Sequence, residues 1–104
     1  MVPKGLLKKL QRLRQCIETA RIPVSHLVLF GSRARGKPRR ESDIDVCVVS
    51  PALGRMRIAE GVRLSLIAHE IDLLFEIVPC SLHDWRNDRR SPLLHEIRTT
   101  GIVL

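Results

Sequence analysis

Two apolar segments joined by a polar stretch constrain this chain more than any other feature. Residues 24–30 form a short apolar run that stops at Gly31, a pattern typical of a buried strand. Residues 43–50 alternate between polar and apolar side chains before turning apolar, which predicts a second strand. Half of the intervening residues 31–40 are basic and two are glycines, so they predict a loop or a single helical turn.

Helical periodicity surrounds these strands. A first helix with one apolar face has Pro3 in its first turn and Pro23 just past its end. A second helix is predicted over residues 56–69, a third strand over 71–78, and one or two short helices over 81–100. The apolar stripes consist of Leu6, Leu7, Leu10, Leu13, Ile17 and Ala20 in the first helix and Ile58, Ala59, Val62, Leu66 and Ile67 in the second.

The order of these elements predicts the fold class. Ser91 followed by Pro92 predicts the start of a last helix, which Gly101 ends. Helices that alternate with strands indicate an α/β (α+β) domain of two or three layers. The 104 residues suit one core, so residues 1–104 are expected to form a single domain. Periodicity leaves open whether the sheet is parallel or mixed.

The chain is strongly basic. It has 18 Lys and Arg residues against 11 Asp and Glu, a net charge of +7, which attracts polyanions but also fits an ordinary solvated surface. Three cysteines without framework spacing argue against a disulfide scaffold. No segment approaches the roughly 20 apolar residues of a membrane span. Because the N-terminal residues do not resemble a signal peptide, the cytoplasm is the expected compartment.

Asp43 and Asp45 lie two residues apart on the second predicted strand, so their side chains are expected on one face. Two carboxylates there would repel each other and lose hydration, and a divalent cation between them would remove that cost. Mg²⁺ is the natural choice because it prefers oxygen ligands, with Mn²⁺ as an alternative. The competing interpretation is that the aspartates simply cap the strand at the surface.

The glycine turn favours the metal interpretation. Gly31 lets the backbone approach a ligand closely, and Ser32 offers a hydroxyl beside amides that can bind an anion. Arg33 and Arg35 lie nearest the turn and are candidates for binding a triphosphate. The more distant basic residues are expected in a solvated loop: Lys37, Arg39 and Arg40.

A third carboxylate is expected on the third strand. Asp72 lies near its predicted start in an apolar setting, which is costly for an unpaired charge. Glu76 lies on the same predicted face, farther along. Three convergent carboxylates can hold two metal ions, and one of them can accept the proton of a nucleophile. The sequence does not decide between the two residues.

The Gly31-Ser32 turn, followed after ten residues by the Asp43-x-Asp45 pair and later by Asp72, resembles the polymerase-beta-type nucleotidyltransferase superfamily. The closest resemblance is to its minimal (MNT) branch, and it extends over essentially the whole chain. It implies a nucleotidyltransferase fold, in which a small mixed sheet is flanked by helices. It also implies transfer of a nucleoside monophosphate, usually from ATP, to a hydroxyl with release of pyrophosphate.

The resemblance also implies roles and a partner. Gly31 and Ser32 would bind the triphosphate, Asp43 and Asp45 the metal ions, and Asp72 would complete the site, where it can also act as a base. Minimal members commonly pair with a helical HEPN protein, a toxic ribonuclease, and adenylylate one of its tyrosines. We therefore expect a hetero-oligomer in which this chain is the antitoxin.

Two alternatives remain open: a binding-only antitoxin, and nucleotidyl transfer to a small molecule or an RNA end. Because the chain contains no tyrosine, tyrosine self-modification is excluded. Cys80 and His83 have a metal-like spacing, but no second pair completes a zinc site. Trp85 is expected either to anchor a partner or to close the core. No pattern of basic and aromatic residues indicates base stacking, so sequence-specific nucleic-acid binding is not expected.

Overall fold

In the computed structural model, which describes residues 2–36 and 42–104, a four-stranded sheet is packed between helices on both faces. The strand order is β3-β2-β1-β4, with β2 and β3 parallel and β1 antiparallel to both of its neighbours. The predicted α/β domain is confirmed, and its sheet is mixed. The elements are α1 (Lys4–Thr19), β1 (His26–Phe30), β2 (Ile44–Ser50), α2 (Arg57–His69), β3 (Phe75–Ser81), α3 (Leu82–Asn87), α4 (Pro92–Thr100) and β4 (Ile102–Val103).

Alternating strand residues divide the core between the two faces of the sheet. On one face Leu27, Val46 and Phe75 are buried with apolar residues of α1 and α2. On the other face Val28 and Cys47 are buried with residues of α4, and residues of α3 pack against them. Because successive strand side chains point to opposite faces, Val46 and Cys47 of β2 lie on opposite sides of the sheet.

Short polar contacts define the ends of the last two helices. The Ser81 hydroxyl accepts a hydrogen bond from the Asp84 amide at 3.0 Å, and the Ser91 hydroxyl accepts one from the Leu94 amide at 3.2 Å. The predicted helix start at Ser91 is therefore confirmed, as is the helix end at Gly101. A Cβ atom on Gly101 would lie 2.7 Å from Val28 Cγ1, so only glycine lets the chain turn there into β4.

Strand β3 begins at Phe75, whereas the apolar pattern predicted a start at residue 71. Asp72 lies in a turn before the strand. Its carboxylate accepts a hydrogen bond from the Leu74 amide at 2.9 Å, and its carbonyl accepts one from the Phe75 amide at 3.2 Å. These bonds fold the backbone into a turn. Asp72 therefore precedes the strand, while Glu76 lies within it.

Helix α2 packs on the sheet with an unexpected face. Its buried residues are Leu64 and Ala68, whereas Ile58, Val62 and Leu66 are exposed. Gly61 lies on the inner side, where an added Cβ atom would be 3.9 Å from the Pro79 ring. Small residues thus allow close packing against β3. Ile67 packs against the core, whereas the three apolar residues spaced by four, which helices usually turn toward the core, face outward.

Among the described residues, no helix is both long and apolar enough to cross a bilayer. The basic residues that the sequence assigns to a solvated loop, Lys37, Arg39 and Arg40, lie outside the described part of the chain.

Candidate active site

Three residues in register form a row across the sheet at one end of β2. Asp45 is the Cα partner of Phe30 on β1 and of Glu76 on β3. Side chains of residues paired in this way lie on the same face of a sheet. Phe30 belongs to the core beneath α3 and α4, so the carboxylates of Asp45 and Glu76 lie on that face. The fold therefore brings together two acidic residues that are far apart in sequence.

Gly31 turns the chain directly beside Asp45. It begins a 3₁₀ turn, Gly31–Arg33, with φ of 73°, a conformation that glycine adopts without steric cost. The amides of Ala34 and Arg35 both donate to the Gly31 carbonyl at 3.2 Å. A Cβ atom on Gly31 would lie 3.1 Å from Cγ of Asp45 and collide with its carboxylate oxygen. The lack of a side chain on Gly31 thus lets the Asp45 carboxylate lie against the turn.

The Asp45 carboxylate lies in an unfavourable electrostatic environment. Its pKa is raised above the ordinary value, first by partial burial and then by the negative charges of Asp43, Glu76 and Glu96. Burial and neighbouring like charges both disfavour an ionised carboxylate. A cation or a hydrogen-bond donor that entered here would relieve this cost.

Asp43 is exposed just before β2, and Arg33 holds the backbone that carries it. The Arg33 guanidinium donates to the Ser42 carbonyl from Nε at 3.2 Å and from Nη2 at 2.8 Å. A planar guanidinium holds its acceptor in a defined direction. The sequence predicted Arg33 only as a nucleotide ligand. Its bond to a backbone carbonyl is a structural role that no sequence pattern indicates.

Arg35 reaches across the site to α4. Its Nη2 atom lies 3.8 Å from Oε1 of Glu96, and both side chains are about half exposed. Exposed ion pairs of this kind are weak and easily exchanged. Sequence reasoning did not identify Glu96, because nothing in its local pattern shows that α4 packs beside β1.

Asp72 has different partners. Its carboxylate lies 2.6 Å from Nζ of Lys9 on α1. Its pKa is lowered, first by this hydrogen bond from Lys9 and then by the bond from the Leu74 amide. The charges that act on Asp45 come instead from Asp43, Glu76 and Glu96. Of the two residues left open by the sequence, Glu76 is the one in register with Asp45.

The residues fit a divalent cation with few protein ligands. Within residues 2–36 and 42–104, no three His, Cys, Asp or Glu side chains converge closely enough to hold a metal ion by themselves. Mg²⁺ is commonly bound by one or two carboxylates, with water and substrate phosphates as the other ligands. Asp43 and Asp45 would supply such a pair, and the described neighbouring charges that raise the pKa of Asp45, those of Asp43, Glu76 and Glu96, are all negative.

Trp85 closes the core beneath α3. It packs against the buried cluster on that face, with its ring 5.8 Å from the ring of His26. The guanidinium of Arg98 lies 5.5 Å from the Trp85 ring centroid and donates to the carbonyls of Trp85 and Asp84. Of the two roles that the sequence left open, the structure supports the core one.

The fold and site together define a small α/β domain with an acidic row beside a glycine turn. The chain belongs to the nucleotidyltransferase domain family, whose sequence profile matches residues 6–91. The matched segment includes the glycine turn, both aspartates, Asp72 and Glu76. No curated protein matches the chain significantly.

Solved structures support the same fold. A proposed nucleotidyltransferase from Sulfolobus solfataricus superimposes with a TM-score of 0.57 at 17% identity, covering 97% of this chain and 86% of that one. A toxin–antitoxin crystal structure with AMP-PNP gives a TM-score of 0.61 at 25% identity, covering 89% and 69%. A mutant of the toxin–antitoxin MntA-HpeT gives 0.60 at 21% identity with the same coverage. The resemblance to the minimal nucleotidyltransferases of toxin–antitoxin pairs is thus confirmed.

Proposed function

We propose that this nucleotidyltransferase is metal-dependent and transfers AMP from ATP to a hydroxyl of a partner protein, acting as the antitoxin of a HEPN-type toxin. The observation that carries the proposal is the placement of Asp45 against the backbone of Gly31 and in register with Glu76. This arrangement puts a glycine backbone, which a phosphate can approach closely, next to two carboxylates.

The acidic residues have different roles. Asp43 and Asp45 would hold Mg²⁺, or Mn²⁺ in its place, and Glu76 takes the role of third carboxylate that the family resemblance implied for Asp72. Glu76 is exposed and in register with Asp45, so its carboxylate is available to a substrate. Asp72 is already bound by Lys9 and by a backbone amide.

The basic and small residues orient the nucleotide. The Gly31 backbone lies against Asp45 and would face the phosphates of ATP, together with the Ser32 hydroxyl of the same turn. Arg35 is exposed and held only by a weak pair with Glu96, so a phosphate can attract it at low cost. Arg33 acts mainly by fixing the backbone before Asp43, although its charge also lies close enough to lower the pKa of Asp72.

The reaction is a displacement at the α-phosphorus of ATP. The acceptor oxygen forms a bond to that phosphorus, the bond to the oxygen bridging to the β-phosphate breaks, and pyrophosphate leaves with the electron pair. The acceptor's proton passes to the Glu76 carboxylate, a base of the kind that assists such transfers. A bound divalent cation would offset the negative charge of the triphosphate and the acceptor oxygen.

The protein acceptor rests on two supports. The toxin–antitoxin structures that resemble this chain include one with the ATP analogue AMP-PNP. In addition, this chain has no tyrosine of its own, so a tyrosine hydroxyl must come from another molecule. A partner chain would supply the acceptor close to the exposed end of the acidic row.

The direct test is intact-mass spectrometry of the protein encoded beside this chain's gene. The two purified proteins are incubated with ATP and Mg²⁺, and the partner is expected to gain one or more AMP units. Asp43→Asn combined with Asp45→Asn should abolish the gain, while Asp88→Asn should not, because Asp88 lies outside the row and its carboxylate bonds to the Arg90 and Ser91 amides.

The other outcomes separate the alternatives. A stable complex without any mass gain, in which the double variant still suppresses toxicity, would identify a binding-only antitoxin. Incorporation of labelled AMP into RNA or a small molecule, with the partner protein unchanged, would assign a different acceptor. Loss of the mass gain with Asp72→Asn but not with Glu76→Gln would overturn the assignment of the third carboxylate.

A further inference from the structure

The outward face of α2 is an apolar surface that no described part of the fold covers. Ile58, Val62 and Leu66 recur every four residues, and their side chains are 86%, 56% and 66% exposed. Met56, just before the helix, is 68% exposed. We call these four residues the α2 surface. Contiguous apolar surface of this kind on a folded domain commonly marks an interaction site.

We propose that the α2 surface binds the α2 surface of a second copy of this chain, forming an antiparallel two-fold dimer. A two-fold axis at Val62 would place Ile58 of one copy opposite Leu66 of the other, because each lies four residues from Val62. An isologous contact requires such a self-complementary patch.

The charges at the two ends of this surface fit antiparallel pairing. Arg55 precedes the helix by two residues, and Glu70 continues the line of Ile58, Val62 and Leu66 by four more. Both residues are exposed. In an antiparallel dimer, Arg55 of each copy approaches Glu70 of the other, so both ends carry opposite charges. A parallel arrangement would instead bring like charges together.

The loop before the helix presents Arg55 in a defined position. The Glu60 carboxylate accepts hydrogen bonds from the Gly54 amide at 2.9 Å and the Met56 amide at 3.3 Å. These bonds hold the backbone on both sides of Arg55. An ordered residue loses less entropy on binding than one in a free loop.

The surroundings of the α2 surface suit a second copy better than a polyanion. The whole chain carries a charge of +7, so two copies repel each other in most orientations. Near this surface, however, Arg57 is paired with Asp84 at 3.1 Å. Within residues 55–70 the remaining charges, Arg55 and Arg63 against Glu60 and Glu70, balance, and the exposed Arg21 lies beside Met56 at the edge of the surface.

The area of the α2 surface and its position on the domain are also consistent with a dimer interface. Four large apolar side chains exposed by more than half can bury several hundred Å², which approaches the roughly 800 Å² per partner of a standard interface. Helix α2 covers the face of the sheet opposite to Asp45 and Glu76. A dimer through α2 therefore leaves both acidic sites open, and this inference does not depend on the proposed function.

The test is analytical ultracentrifugation of the purified chain from micromolar to submillimolar concentration, with a dimer expected. Val62→Asp should weaken the dimer about tenfold or more, because a charge would be buried at its centre. Leu93→Asp is the control, since Leu93 is an exposed apolar residue on α4. Far-UV circular dichroism should show that both variants remain folded.

Charge reversal tests the antiparallel register. Arg55→Glu alone and Glu70→Arg alone should each weaken the dimer, and the double variant should restore it. A chain that stays monomeric throughout would overturn the proposal, as would a dimer that Val62→Asp leaves unchanged. If the wild type is monomeric and Val62→Asp abolishes binding of a different protein, the α2 surface belongs to that partner instead.

Discussion

Gly31 faces the carboxylate of Asp45 so closely that no side chain fits between them. A Cβ atom on Gly31 would lie 3.1 Å from Asp45 Cγ, and the φ of Gly31 is 73°. Gly31→Ala should therefore destabilise the fold by about 2 kcal/mol or more, because a left-handed backbone costs an alanine about 1–2 kcal/mol before any clash is counted. It should also weaken ATP binding. Urea denaturation and calorimetric titration with ATP and Mg²⁺ measure the two effects.

Gly36 provides the matched control for that prediction. It has the same φ of 73°, but no described atom lies within 4 Å of an added Cβ. Gly36→Ala should lower the free energy of unfolding only by the cost of a left-handed backbone, about 1–2 kcal/mol, and should leave ATP binding intact. If both substitutions have equal effects on stability and on ATP binding, the contact between Gly31 and Asp45 is not important for function.

Asp45→Asn should stabilise the metal-free protein at neutral pH. The raised pKa of Asp45 means that folding disfavours its ionised form, so wild-type stability falls as pH rises through the folded pKa. The expected gain in Tm is on the order of a few degrees, since 1 kcal/mol corresponds to about 4–8 °C in a domain of this size. Thermal melts in chelator from acidic to neutral pH test this.

Two features would distinguish this effect from generic stabilisation. The advantage of Asp45→Asn should disappear at acidic pH, where the wild-type carboxyl is protonated as well. Added Mg²⁺ should raise the Tm of the wild type more than that of the variant, because a ligand stabilises the state that binds it. A variant that is less stable than the wild type in chelator at neutral pH would contradict the prediction.

Glu76→Gln should lower kcat for AMP transfer by about 100-fold or more, the usual contribution of a positioned base. The fold should be unaffected, because Glu76 is exposed. Asp72→Asn should change kcat little. Single-turnover kinetics with labelled ATP compares the two variants at equal folded fractions, and a larger loss from Asp72→Asn would reverse their proposed roles.

Asp72 should instead act on stability through Lys9. Its lowered pKa means that the pair stabilises the fold above the unfolded pKa of about 4 and that this contribution is lost as pH falls through the folded value. Because the Lys9 side chain is 47% exposed, the pair should contribute only about 0.5–1 kcal/mol. Denaturation of Asp72→Asn, Lys9→Met and the double variant measures this. Additive losses would show that the ion pair contributes nothing.

Arg33→Lys should weaken Mg²⁺ binding although the charge is kept. The guanidinium bonds to the Ser42 carbonyl through two nitrogens, a geometry that an ammonium group does not reproduce. We expect a loss of stability of about 1 kcal/mol and weaker Mg²⁺-dependent ATP binding. Calorimetric titration of Arg33→Lys against Arg35→Lys compares the two arginines. An unchanged Arg33→Lys would show that the backbone before Asp43 is held by other contacts.

Local chemistry made part of this structure predictable from the sequence. Strands β1 and β2 follow from apolar runs, and Ser91 begins α4 because a hydroxyl cap is a local requirement. Gly101 was predicted as the helix end, although it is the long-range contact with Val28 that requires glycine there. The proximity of Gly31 to Asp45 was also predictable, because the glycine turn follows one apolar strand and the aspartate lies on the next. The roles of these site residues remain predictions.

Long-range packing made the rest unpredictable. Periodicity shows that α2 has apolar residues every four positions, but the sheet selects the face with Gly61 and Ala68 because it allows closer packing. Asp72 meets Lys9 across 63 residues, and no local pattern encodes that distance. Glu76 becomes a candidate only through the parallel register of β2 and β3. Strand β4 was not predicted because its two residues are too few for a periodic signal.

The short strand β4 also affects how the chain folds during its synthesis. It pairs Ile102 with Leu29 and Val103 with Val28, and the Leu104 amide donates to the Leu27 carbonyl at 2.9 Å. During synthesis, β1 therefore has no neighbour on that side until the residues after Gly101 have emerged from the ribosome. An unpaired apolar strand edge invites pairing with other chains. The β1 edge can therefore pair incorrectly with other chains until β4 is available to cover it.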